Sequence, residues 1–147
     1  MGDSKLNTNM ASEFYVLSML HRLGVNASLT LGNKKAIDIV AYKNGTSLTI
    51  DVKGLKNKGT FPVDNCTTRK KYHYYIFVSF LGEMLDPAIV PEAYIVPSLD
   101  VDKIHKELEG EDFVYYSPQG KKRVWYTTLK KLREKYLHKW DVFCEMN

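Results

Sequence analysis

The sequence has no run of about 18 apolar residues, the length needed for a helix to cross a bilayer. Its first nine residues are polar, which predicts no secretory signal. No membrane association is therefore expected. Cysteine is scarce: Cys66 and Cys144 are too few for a disulfide framework and read as free thiols in a reducing compartment, so a cytoplasmic location is expected. There is no Gly-rich phosphate loop, since Gly32 and Gly45 are isolated, so no nucleotide cofactor is expected. Cys66, His73, His105, His138 and Cys144 lack paired zinc spacing. No Gly/Ser tract or internal repeat divides the chain, and 147 residues is about the size of one domain, so residues 1–147 are expected to form one.

What is present is an ordinary globular composition, 44% hydrophobic and 26% charged, which excludes a disordered chain. The net charge of +4 is unevenly spread. Residues 1–82 carry 11 basic and 5 acidic side chains, a net of +6. Residues 83–112 carry 2 basic and 9 acidic, a net of −7, and residues 113–147 carry 8 basic and 3 acidic, a net of +5. Ten tyrosines interleave with these charges. That mixture suits an anionic partner such as nucleic acid, although composition alone favours the plainer account of core tyrosines and charge for solubility.

The pattern alternates between helix and strand signals. Met10, Leu17 and Leu20 share one face of a helix from about Asn9 to Leu23, widened by Ala11 and Phe14. Thr8 or Asn9 can cap its start and Gly24 its end. Glu13 falls within the same stripe. Strand-like runs follow at Val25–Leu31, Ala36–Tyr42 and Ser47–Lys53, then a buried strand at Tyr72–Phe80 and a short one at Ala93–Val96. Asp100–Glu109 reads as an acidic helix stopped by Gly110. Val114–Tyr116 and Arg123–Tyr126 read as a small hairpin around Pro118-Gln119-Gly120. A last helix is predicted over Thr128–Trp140, with Leu129, Leu132, Tyr136 and Trp140 inward and Lys131, Lys135 and Lys139 outward. Trp125 and Trp140 both read as core. The sum is an α/β chain with a central mixed sheet.

Asn44-Gly45 is a strong hairpin signal, because a type I′ turn needs positive φ at both central residues. It pairs Lys43 with Thr46, Val40 with Thr49, Ile39 with Ile50 and, carried further, Asp38 with Asp51. One face then holds Ile37, Ile39, Ala41, Leu48, Ile50 and Val52. The other holds Asp38, Asp51 and Lys53. Two carboxylates facing each other across a hairpin repel. A hard divalent cation between them relieves that repulsion, and Mg²⁺ is typically held by one or two carboxylates plus water and phosphate oxygens. A lysine two residues from one of the acids can stabilise charge on a phosphoryl oxygen. The set suits metal-dependent phosphodiester hydrolysis.

The order of helical Glu13, Asp38 in Ala36-Ile37-Asp38-Ile39-Val40, and Asp51-Val52-Lys53 across a hairpin resembles the PD-(D/E)xK nuclease superfamily. That group includes restriction endonucleases, archaeal-type Holliday junction resolvases and DNA repair nucleases. The resemblance covers residues 9–54, with Tyr72–Phe80 as a fourth strand. It implies a restriction-endonuclease-like fold, an N-terminal helix followed by antiparallel strands in a mixed sheet flanked by helices. It also implies a Mg²⁺- or Mn²⁺-dependent DNA endonuclease. Asp38, Asp51 and the Val52 backbone carbonyl would be metal ligands, Lys53 the catalytic lysine, and Glu13 an accessory ligand or water positioner. The family has a helix between its third and fourth strands; Gly54–Lys71 holds Gly59 and Pro62 and allows at most a helical turn near Thr67–Lys71.

Lys56, Lys58, Arg69, Lys70 and Lys71 follow these residues and are expected to meet DNA phosphates. A homodimer is expected from the resemblance, since two strands need two cuts. The alternative is a non-catalytic DNA-binding or protein-interaction module with the same fold. A third class is a hydrolase using Cys66 as nucleophile.

Overall fold

The computed structural model describes residues 2–31, 37–107 and 115–145. Helix α1 (Gly2–Arg22) leads into strands β1 (Asn26–Leu29), β2 (Ile39–Lys43), β3 (Thr46–Leu55), β4 (Thr60–Pro62), β5 (His73–Ser79) and β6 (Glu92–Pro97). A 3₁₀ turn (Ser98–Asp100) then precedes α2 (Val101–Glu107), β7 (Tyr115–Tyr116), β8 (Lys122–Trp125), α3 (Tyr126–Lys131), α4 (Arg133–Tyr136) and a final 3₁₀ turn (Trp140–Phe143). A five-stranded sheet runs β1-β2-β3-β5-β6, and a smaller one runs β4-β8-β7. The large sheet is mixed, because β3 and β5 are parallel while its other neighbours are antiparallel.

The turn chemistry acts as expected. Asn44 has φ 49° and Gly45 φ 80°, and the hairpin forms the five pairs from Lys43–Thr46 to Ile39–Ile50. Strand β5 is buried along its whole length, as a strand covered on both faces must be. Its alternate residues feed two cores. Tyr74, Ile76 and Val78 join Val16 and Leu20 of α1 on one face, closed by Trp140 and Phe143. Tyr75 and Phe77 join Phe61, Val124, Tyr126, Leu129 and Tyr136 on the other.

Four expectations change. Helix α1 begins at Gly2, so Thr8 lies buried inside it and neither Thr8 nor Asn9 caps it; residues 3–9 contain neither proline nor glycine to stop it. Its buried face is also rotated. Phe14 is 53% exposed, while Thr8, Ser12, Glu13, Val16 and Leu20 are buried, because small Ser12 lets the helix approach β3. A Cβ on Gly54 would lie 2.9 Å from the Ser12 Cβ and 3.2 Å from the Thr8 carbonyl. Third, Thr67–Lys71 forms no helical turn, and the β3–β5 crossover instead inserts β4 into the second sheet. Fourth, the last helix is two short helices. Leu129, Leu132 and Tyr136 belong to one core and Trp140 to the other. The chain must therefore pass around edge strand β6, and it does so where Leu137 bridges Tyr94 and His138 takes φ 53°. The expected small hairpin forms, pairing Tyr115 with Arg123, but its second strand is Lys122–Trp125 and Tyr126 opens α3. Ala36, the end of the acidic helix from Leu108 to its stop at Gly110, and Val114 lie outside the described residues.

Candidate active site

The predicted register stops one pair short of the aspartates. The Asp38 N–H turns to the Ile50 carbonyl at 3.0 Å, so Asp38 does not face Asp51 in the ladder. An unbroken antiparallel ladder would send the Val52 N–H to the Ile37 carbonyl. The Thr30 hydroxyl takes that carbonyl instead, and Val52 N–H donates to Asp38 Oδ2 at 2.7 Å. The chain is thus kinked at Asp38, and the side chain replaces a main-chain acceptor. Two further backbone contacts hold the kink, with Thr30 N–H donating to the Asp38 carbonyl at 2.9 Å and the β1–β2 pairing ending at Leu29–Ile39.

The kink still brings the acids together. Asp51 is 4% exposed, and its carboxyl is pushed up to about 7. Burial is the main cause, Lys53 opposes it, and the Asp38 carboxylate raises it further by hydrogen bond and by charge. Lys53 Nζ lies 3.3 Å from Asp51 Oδ1 and donates to Asn65 Oδ1 at 2.7 Å. Asn65 sits in the loop leaving β4. That loop is pinned to β8, because Asp64 Oδ1 accepts the Lys122 N–H at 3.0 Å.

Glu13, Asp38, Asp51, Val52 and Lys53 all line one cleft of about 840 Å³. Its floor is the end of β3. One wall is α1, placed there by the Gly54–Ser12 approach, and Glu13 is 5% exposed on it. The other wall comes from β4 and β8 through Pro62, Asn65 and Arg123. Of the predicted phosphate contacts, Lys56 lines the cleft. Lys58, Arg69, Lys70 and Lys71 do not, and Arg69 is held at 3.2 Å by Asp102 and by the Cys66 and Thr68 carbonyls.

Sequence reasoning missed Lys5, Asn65 and Arg123, all of which line the cleft. The hairpin carrying Arg123 was legible, but its docking on β4 was not. It also placed Trp125 in the core, whereas Trp125 is 47% exposed, because Val124 is the residue of β8 that points inward. Cys66 is pushed up to about 12, chiefly by burial, so its thiol stays protonated and is a poor nucleophile.

For a metal, the donor chemistry is that of a hard cation: two adjacent carboxylates, one of them buried, in an open cleft. Among the described residues no group of three or more His, Cys, Asp or Glu side chains that could hold a metal ion occurs. Two carboxylates with water and substrate oxygens suit Mg²⁺, which usually keeps several waters. No described helix is long and apolar enough to cross a membrane.

No family model and no curated protein matches the chain. In three dimensions it is similar to a bacterial homing endonuclease, I-Ssp6803I, with a TM-score of 0.53 over 94% of this chain and 89% of that one, at 10% identity. At that identity the likeness is one of fold. The N-terminal helix, the antiparallel strands after it and the mixed sheet flanked by helices are the α/β arrangement that was expected.

Proposed function

We propose that this chain is a metal-dependent DNA endonuclease of the PD-(D/E)xK type, acting as one domain over residues 1–147. The observation that carries the reading is the convergence of Asp38, Asp51, Lys53 and Glu13 on one cleft within a fold shared with a homing endonuclease. The neighbour is a homing endonuclease, and DNA is the substrate proposed here.

Asp38, Asp51 and the Val52 carbonyl would hold Mg²⁺ or Mn²⁺, with Glu13 as accessory ligand or water positioner. When bound, the ion supplies a more acidic water and charge neutralisation at the phosphoryl oxygens. The protein's own groups do the rest. Asp51, raised by burial and by Asp38, is released to its charged form by a neighbouring cation. Lys53, held between Asp51 and Asn65, presents N–H donors where negative charge builds on the phosphate. Cleavage of both strands of a duplex calls for two such sites, hence a homodimer.

The test is cleavage of plasmid, nicked and branched DNA with Mg²⁺ or Mn²⁺. Asp38→Ala and Lys53→Ala are expected to lose at least about 100-fold in turnover while melting cooperatively. Wild-type rates in both variants would end the assignment. Salt-dependent DNA binding, with no calorimetric Mn²⁺ binding for Asp51→Asn to abolish, would instead favour a non-catalytic DNA-binding module.

A further inference from the structure

The second wall of the cleft carries a cation that the proposed chemistry does not use. Arg123 lies on β8, paired with Pro62 of β4 and Tyr115 of β7. Its Nε donates to Thr60 Oγ1 at 2.7 Å and one Nη donates to the Thr60 carbonyl at 2.9 Å. A guanidinium has five N–H groups, so these two bonds fix the plane of the fork and leave an edge for another acceptor. Arg123 lines the same cleft as Asp38 and Lys53, across from Lys5 of α1. Val124 is fully buried in the core beneath. Strand alternation therefore puts Arg123 and the half-exposed Trp125 on the same outer face of the small sheet.

A planar fork held in place matches a phosphate bidentately and loses less side-chain entropy on binding than a mobile lysine. We infer that the β4–β8 sheet is the second jaw of the DNA groove and that Arg123 grips a backbone phosphate of the bound duplex. The inference rests on the nuclease reading for the identity of the ligand. It adds a binding residue outside the helix–hairpin constellation and assigns a role to the small sheet. Trp125 flanks the grip and serves as its reporter, since the chain has only one other tryptophan, the buried Trp140.

The experiment uses the full chain and a fluorescein-labelled duplex of about 20 base pairs. Cleavage is followed in Mg²⁺ and binding by anisotropy across a salt series. Arg123→Ala is expected to weaken binding about tenfold and to lower the slope of log K against log salt by about one, at every duplex sequence tried. Arg123→Lys is expected to keep the slope and recover part of the affinity. Thr60→Val, which leaves the arginine but removes its hydroxyl acceptor, is expected to weaken binding two- to fivefold with the slope unchanged. In a Trp140→Phe background, duplex binding is expected to change Trp125 emission. Arg123→Ala and Arg123→Lys that both bind within twofold of wild type with the wild-type slope would overturn the inference while cleavage by the wild type leaves the nuclease reading standing. A wild type that neither binds nor cuts DNA would remove both.

Discussion

At the scale of single residues, the most consequential side chain is Asp51. It is buried, beside another carboxylate, and favours its protonated form. Folding therefore binds a proton between the ordinary carboxylate value near 4 and the folded value of about 7. Stability contributed by this group is full at low pH and is lost as pH rises through that window, by up to about 4 kcal/mol. In the metal-free protein, Asp51→Asn is expected to melt higher than wild type at pH 8, with the gap closing toward pH 4. Scanning calorimetry at both pH values checks it, and millimolar Mg²⁺ is expected to raise the wild-type melting temperature and leave Asp51→Asn unmoved. Asn65 is the complementary case. Its side chain accepts from Lys53, so, on the proposed role of Lys53, Asn65→Ala is expected to lower kcat about tenfold with KM nearly unchanged, through loss of one charge-assisted hydrogen bond. A matching rise in KM would show it acts on binding instead. That Glu13, Asp38, Asp51 and Lys53 gather at one cleft was legible from the sequence, because a carboxylate in an apolar stripe and two carboxylates expected to oppose across a tight turn are anomalies that a residue pattern displays. Asn65 and Arg123 were not, since an Asn in a polar loop and an Arg in a short hairpin carry no local anomaly.

At the scale of elements, the site depends on how closely α1 lies on β3. Helix and strand meet at Gly54 and Ser12, where a single added methyl meets the Ser12 Cβ at 2.9 Å and the Thr8 carbonyl at 3.2 Å. Gly54→Ala is expected to cost about 1–3 kcal/mol, read as a fall in urea midpoint. It is also expected to cut activity beyond what the stability loss explains, because it moves Glu13 outward. The hairpin was legible to the residue because its turn chemistry is local. The kink at Asp38 was not, because it depends on Thr30 claiming the Ile37 carbonyl, a contact set by β1 and not by the hairpin. The rotation of α1 escaped the hydrophobic pattern for a similar reason. Close packing selected small Ser12 and left large Phe14 in solvent.

At the scale of the whole molecule, one sheet divides two cores, and the C-terminal segment visits both. Leu129 and Tyr136 fill the far side, and Trp140 and Phe143 close the side that holds α1. Trp140 meets Tyr15 of α1 edge-on at 6.2 Å between ring centres. Trp140→Ala is expected to cost about 3 kcal/mol or more and to loosen the N-terminal helix, which hydrogen exchange on α1 amides would show. An even spread of lost protection would place the effect elsewhere. The regular spacing of Leu129, Leu132, Tyr136 and Trp140 predicted one helix because periodicity records which residues are buried and not on which side of a sheet. The mixed sheet itself was expected, and β5, the strand whose parallel pairing with β3 makes it mixed, read as one buried apolar run.

The hydrogen bond from Val52 to Asp38 carries one more consequence. It makes a main-chain amide of the central strand answerable to the charge on a side chain. Whatever draws electron density from the Asp38 carboxylate, whether a proton, an ion or a shift toward a substrate, weakens its hold on that N–H. The Val52 amide is therefore a built-in gauge of the site. Its chemical shift and its exchange rate record whether the acid pair is occupied, without any added reporter group and without turnover.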